Sequence, residues 1–296
     1  MNSINEKMTY INEKLDKIRN NMSLTKEEKI ETIASNIAPY EFAPRALSFS
    51  TTPIMEELRM ISLKNLTGVS FGSQIPDPNL DLSFWDVAKF TGFGRMFSNA
   101  SSLISLNISG WNNTTAGYTG YMFYSCGKLT DIIVNENTKI KTNDTTLMFN
   151  GCKSLTKLNL DWLDTSACTQ IVQTFDWCTN LEELEINTWD VSNCTKIYLG
   201  GNCCHNMKKL DLSNWHTPKL TNLTIMNNGW ESMELLDIRN FDFSKHTSSL
   251  SSSFKGGFPM DCLIIVKDDT QKALLQKKKS DLTNIKTVAE YEAMQQ

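Results

Sequence analysis

The chain has 296 residues, 40% of them hydrophobic and 21% charged, with a formal net charge of −4. That balance belongs to a folded chain and gives no general electrostatic pull toward nucleic acid or anionic membrane, so no nucleic-acid partner is expected. Three histidines leave little material for metal sites or general-base catalysis, and no run of about 18 apolar residues offers a membrane span.

The first twenty residues are polar and charged and lack the apolar centre of a secretory leader. Ile4, Met8, Ile11, Leu15, Ile18 and Met22 alternate spacings of four and three, a heptad seam flanked by charge. Thr25 followed by Glu28 has the form of a capping box for a second helix over 26–37, which Pro39 ends. A helix this short is marginal alone. Its seam needs the second helix in a hairpin, copies of itself, or another protein. Residues 1–38 therefore read as a helical docking or oligomerisation segment, with a homo-oligomer expected. Residues 39–54, with Pro39, Pro44 and Pro53, read as a linker. Leu58-x-x-Ile61-x-Leu63 reads as an N-terminal capping coil.

The rest of the chain is self-similar. Leu103, Leu129, Leu155, Leu181, Met207 and Met233 stand 26 residues apart. Three residues after each come Leu106, Ile132, Leu158, Leu184, Leu210 and Leu236. Two residues later come Ile108, Val134, Leu160, Ile186, Leu212 and Ile238. The comb extends back to Leu80 and Leu82 and forward to Cys262 and Ile264. The alternating unit is a short strand with one buried face, and its period lies in the leucine-rich-repeat range. A single unit cannot bury that face, but stacked units can. The predicted fold is an α/β repeat solenoid of leucine-rich-repeat type over 55–266, with a parallel sheet along one side.

Other columns fill each coil. Trp85, Trp111, Trp189, Trp215 and Phe241 follow the strand, interrupted at Asn137 and Leu163. Asp86, Asn112, Asp164, Asp190 and Asp242 come next, suited to bond the backbone two residues on. Then come Met96-Phe97, Met122-Phe123, Met148-Phe149 and Thr174-Phe175, each followed by a small residue, and Ala100, Cys126, Cys152, Cys178 and Cys204 form that column. Past the last expected strand, 263–266, Asp268-Asp269 can cap a helix starting near Thr270, and 287–294 reads as a second helix. Together they give a helical cap over 267–296.

The pattern M-F-x-x-C-x-x-L-x-x-L-x-L-x-x-W-D-x-S, clearest from Met122 to Val134, Met148 to Leu160 and Leu184 to Ser192, resembles the BspA-like class of bacterial leucine-rich-repeat surface proteins. The resemblance covers about 55–266. It implies a binding or adhesion scaffold and no shared chemistry. Adhesin-like repeats, no leader and a helical docking segment together suggest a phage virion appendage, a tail or head fibre assembled in the host cytoplasm. The seam would meet virion structural proteins, and the solenoid would meet a host-surface glycan or protein. A BspA-like cell-surface adhesin and an intracellular interaction scaffold are the alternatives.

No catalytic residue, cofactor or metal site is expected. The cysteines recur in columns, the mark of core packing, and reduced thiols are expected. Cys203-Cys204-His205 is the one cluster resembling a nucleophile or ligand set, and no orienting third group is visible. The outward strand positions Asn107, Asp131, Lys157, Asn159, Glu183, Glu185, Lys209, Asp211 and Asp237 form the candidate binding face. Tyr118, Tyr121, Trp162, Trp177 and Trp230 lie outside the aromatic column. They are candidates for stacking on sugars, with coil interior as the competing expectation.

Overall fold

The computed structural model describes residues 78–296 apart from 200, 201, 203, 225, 228, 244–253, 256 and 257. The heptad seam Ile4, Met8, Ile11, Leu15, Ile18 and Met22, the linker, the coil at Leu58 and Cys203 lie outside the described residues.

The typical Leu-x-x-Leu-x-Leu unit turns its middle strand residue inward and its flanking residues out. Asn79–Asp81, Lys157–Asn159, Glu183–Glu185 and Lys209–Asp211 all run exposed, buried, exposed. These strands stack in parallel, residue on residue one period apart: Leu80 on Leu106, Leu158 on Leu184, Leu210 on Leu236. The result is a solenoid whose first strand row hydrogen-bonds in three runs. Asn79–Asp81, Ser105–Asn107 and Asp131–Ile133 form one. Lys157–Asn159 and Glu183–Glu185 form the second. Lys209–Asp211, Leu235–Asp237, Leu263–Val266 and Ile285–Thr287 form the third.

A second parallel row follows on the next side of each coil: Asn112–Tyr118, Lys139–Asp144, Gln170–Val172, Lys196–Tyr198 and Asn222–Thr224, with Leu163–Asp164 beside Lys139–Asp144. Its expected Asp turns form, since Asp86, Asp164 and Asp190 accept from the backbone of Ala88, Ser166 and Ser192 at 3.0, 3.0 and 2.9 Å.

The Met-Phe segment is a third side, made of turns. Phe97, Phe123 and Phe149 donate their backbone N–H to Met122, Met148 and Thr174 of the next coil at 2.9, 2.8 and 2.9 Å. Two columns there take positive φ: Arg95, Tyr121, Leu147 and Gln173, then Asn99, Ser125, Gly151 and Trp177. Tight turns stacked in register need that left-handed geometry at each level, although it costs a side-chain-bearing residue about 1–2 kcal/mol. Helices among the described residues are confined to the cap, at Asp269–Lys278 and Val288–Ala293. Asp268 caps the first by accepting from Gln271 N at 3.0 Å, and Thr287 with Glu290 makes a capping box on the second.

The inward columns form one core. Phe97, Phe123, Phe149 and Phe175 stack at centroid distances of 5.5, 5.1 and 6.1 Å. Trp189, Trp215 and Phe241 continue the pile at 6.2 Å per step. Trp111 Nε1 donates to Leu82 O at 2.7 Å and Trp215 Nε1 to Ile186 O at 2.9 Å, so these indoles are buried without losing a hydrogen bond.

The periodic comb misplaces three things. Leu236 pairs with Ile264, not Cys262, because the last turn holds two extra residues. Ile285–Thr287 adds one more strand beyond the expected last one. Val134 is 38% exposed, although its column is buried elsewhere. Its coil brings Asn137 where a ring is due, and the first strand row parts on its far side. Trp162, one residue ahead of the aromatic column, and Ile140 are buried in that region instead.

Candidate binding surfaces

The first strand row presents the expected outward residues. Asp131, Lys157, Asn159, Glu183, Glu185, Lys209 and Asp211 are exposed and Asn107 is half-buried. Side chains lace neighbouring coils inside each hydrogen-bonded run. Lys157 Nζ lies 2.5 Å from Glu183 and 3.3 Å from Glu185, and Asn159 Nδ2 donates to Glu185 at 2.5 Å. Lys208 faces Glu234 at 3.6 Å. Asn107, Asn159 and Asp211 also accept from the backbone two residues on, closing the turn after each strand.

Asp237 does not belong to this face. It is 6% exposed, and Arg239 grips both of its carboxylate oxygens, Nε at 3.0 Å to each. Nothing in the local spacing separates Asp237 from exposed Asp211; the difference comes from Arg239, where Ser213 stands one coil earlier.

Where the row parts between Glu183–Glu185 and Lys209–Asp211, a groove of about 740 Å³ opens. Glu182, Glu183 and Glu185 line it from one coil and Lys208 and Lys209 from the next, with Leu184 between. This mixed-sign channel suits polar partners.

The five candidate stacking aromatics divide. Trp162 and Trp230 are buried at 4% and 2% and have no free face for a sugar. Trp177 is 49% exposed, Tyr118 38%, and Tyr121 half-buried. Tyr118 ends a strand of the second row and pairs with Gly92 behind and Asp144 ahead. Its hydroxyl is pushed up to about 12, by partial burial first and then by the Asp144 charge. Tyr121 carries Arg95 over its ring at 4.0 Å and lies 5.5 Å from the Tyr124 ring.

A family model described as "Mycoplasma protein of unknown function, DUF285" matches residues 64–162 and 143–260, more than half of the chain. The chain belongs to this family. The two DUF285 matches overlap over 143–162, beside the coil in which the aromatic column breaks. They cover the same repeats that carry the BspA-like pattern. No curated protein matches this DUF285 chain. Among solved structures it is similar to the pneumococcal vaccine antigen PcpA, at 12% identity over 75% of this chain and 73% of that one. The TM-score is 0.25, a superposition too loose to transfer any feature.

All seven described cysteines of this DUF285 chain are buried. Burial pushes the Cys126 thiol up to about 12 and those of Cys152 and Cys178 well above their usual range. A thiol held neutral is a poor nucleophile. His205 does have a partner invisible in the local sequence, Glu231 one coil on, with 2.6 Å between Nδ1 and Oε2. Among the described residues no three His, Cys, Asp or Glu side chains are grouped to hold a metal.

Sequence reasoning passed over Arg95, Tyr124, Asp144 and Gln170. Their signal was available: Gly94 and Gly120 stand where the same column later holds Thr146, Val172 and Tyr198. A glycine pair in one column marks space cleared for something.

Proposed function

We propose that this chain is a non-catalytic binding module displayed on a bacterial surface, with the solenoid as its recognition element. The contrast between inward and outward columns carries the reading. The inward Leu, Met-Phe, Cys and Trp positions repeat because each must fill the same space. The outward positions change at every level, Ser105, Asp131, Lys157, Glu183 and Lys209 in one column. Packing places no demand on those residues, and a non-repeating surface on a rigid repeating frame suits recognition. The labelled full chain should bind intact bacterial or host cells saturably, and unlabelled chain should displace it. Absence of saturable binding to any cell surface tested sinks the reading.

A more specific version rests on the seam of residues 1–38. In it the seam docks several copies onto a virion, and the solenoid contacts the host as a tail or head fibre would. Multiple heads would give avidity well beyond single-site affinity. Light scattering of the full chain beside an Ile11→Asp, Leu15→Asp variant tests it, together with probing purified particles for the chain. A monomer in both cases and absence from particles would leave cell-surface display as the reading.

A further inference from the structure

We infer that the chain carries an oligosaccharide-binding shelf built on Tyr118, with Asp144 and Gln170 as the polar pair that reads sugar hydroxyl groups. The inference rests on the binding-module reading and gives it a ligand class and a place, away from the first strand row.

The shelf begins with two glycines. A Cβ on Gly94 would come within 2.5 Å of Tyr118 Cδ1, and one on Gly120 would overlap the same ring. The ring therefore lies down on bare backbone, where later coils carry Thr146, Val172 and Tyr198. One face is seated and the ring cannot swing inward, yet the residue keeps 38% of its surface in solvent. A fixed, half-open aromatic face costs little entropy to engage, and it suits the C–H face of a pyranose.

The next two levels supply hydrogen bonds. Tyr118 pairs with Asp144 and Asp144 with Gln170, so the three side chains follow one another along the solenoid at roughly 4.8 Å per level. The carboxylate is held still. Its Oδ1 accepts from Thr146 N at 2.7 Å and Thr146 Oγ1 at 2.5 Å, and its Oδ2 accepts from Gln170 Nε2 at 2.5 Å. A carboxylate has about four acceptor sites, so capacity remains, and the Gln170 amide offers a second N–H and a carbonyl. Vicinal hydroxyls need both acceptor and donor, and here both are preorganised beside a ring. In the turn that follows Tyr118, Arg95 sits over the Tyr121 ring at 4.0 Å and Tyr124 lies tilted beside it. The carboxylate at the centre repels phosphate and carboxylate ligands, which favours a neutral sugar.

The test uses the full chain and titration calorimetry. The probes are four neutral tetrasaccharides (cellotetraose, chitotetraose, maltotetraose and lacto-N-tetraose), with sialyllactose as the anionic comparison. At least one neutral probe should bind saturably. Tyr118→Ala and Gln170→Ala should each weaken it at least about tenfold, while Tyr118→Phe and the exposed cap-helix variant Lys277→Ala retain it. Thermal unfolding checks each fold. If Tyr118→Ala does not fold, Gln170→Ala, which alters a half-exposed polar side chain, decides. No saturation with any neutral probe, or binding indifferent to Tyr118 and Gln170, overturns the shelf. Cell binding that survives in that case leaves the binding module standing with its site elsewhere; loss of both defeats the two together.

Discussion

The thiol of Cys152 donates to the backbone carbonyl of Phe123, 3.1 Å away and 29 residues earlier in the chain. The same bond recurs at each other cysteine of the column: Cys126 to Phe97 at 3.0 Å, Cys178 to Phe149 and Cys204 to Phe175 at 3.2 Å. Cysteine suits the position because it is small, apolar and a weak donor at once. The column is a seam between coils as well as a filler of space.

Removing one thiol should therefore cost more than its volume. Cys152→Ala is expected to destabilise the chain by about 1–2 kcal/mol, from a small cavity plus the lost thiol bond to a carbonyl that then keeps only the Cys126 N–H. Urea denaturation reads this directly, and an unchanged midpoint would show that the thiol bond contributes nothing.

The same thiols set a pH limit. Burial raises the folded-state value of Cys126 to about 12, against 9.0 for a free thiol. Below pH 9 both states are protonated and the contribution is fully present. Between pH 9 and 12 the unfolded chain loses the proton that the folded chain keeps, so stability falls as pH rises. The urea midpoint should drop from pH 8 to pH 10, and less steeply in Cys126→Ala. At pH 8 a thiol reagent should leave Cys126, Cys152 and Cys178 unmodified until the chain unfolds.

Phe149 holds the middle of the ring pile, 5.1 Å from Phe123 and 6.1 Å from Phe175. Phe149→Ala should cost about 3–5 kcal/mol. Because each coil touches only its neighbours, the loss should also uncouple the two halves and turn one unfolding transition into two. Calorimetry showing a single, merely lowered transition would mean that coupling does not run through the rings.

Two glycines should respond in opposite ways. A Cβ on Gly117 would meet Thr91 O at 2.7 Å and Gly92 Cα at 2.9 Å, backbone atoms that cannot swing aside. Gly117→Ala should cost about 1–3 kcal/mol. At Gly127 the nearest atom is Gly151 O at 3.9 Å, and Gly127→Ala should stay within about 0.5 kcal/mol of the parent. Thermal midpoints of the two variants provide the comparison.

The candidate site was only half legible before folding. Asp131, Lys157, Glu183 and Lys209 could be placed outside from strand alternation alone, since a strand has two faces and the leucines occupy one. Asp237 could not, because the arginine that pulls it into cover acts through its own geometry. Trp162 and Trp230 could not be told from Trp177 by position. Whether an off-column ring turns inward depends on space left by the coils beside it. His205 and Glu231, and likewise Asp144 and Gln170, stand 26 residues apart and meet only when the coils stack.

The sequence by itself determined the solenoid, its period and the identity of its inward columns. A repeat that buries one face per turn has a single economical way to stack, and every level repeats the instruction. It also determined the thiol and aromatic columns, because residues one period apart must lie on one another. The tertiary structure decided where the regularity fails: the two-residue slip before Leu263–Val266, the exposed Val134, the groove between Glu183–Glu185 and Lys209–Asp211, and the Tyr118 ring laid across Gly94 and Gly120. Each of those depends on how one coil fits its particular neighbours. That fit is a contact between side chains distant in sequence, which no column of like residues records.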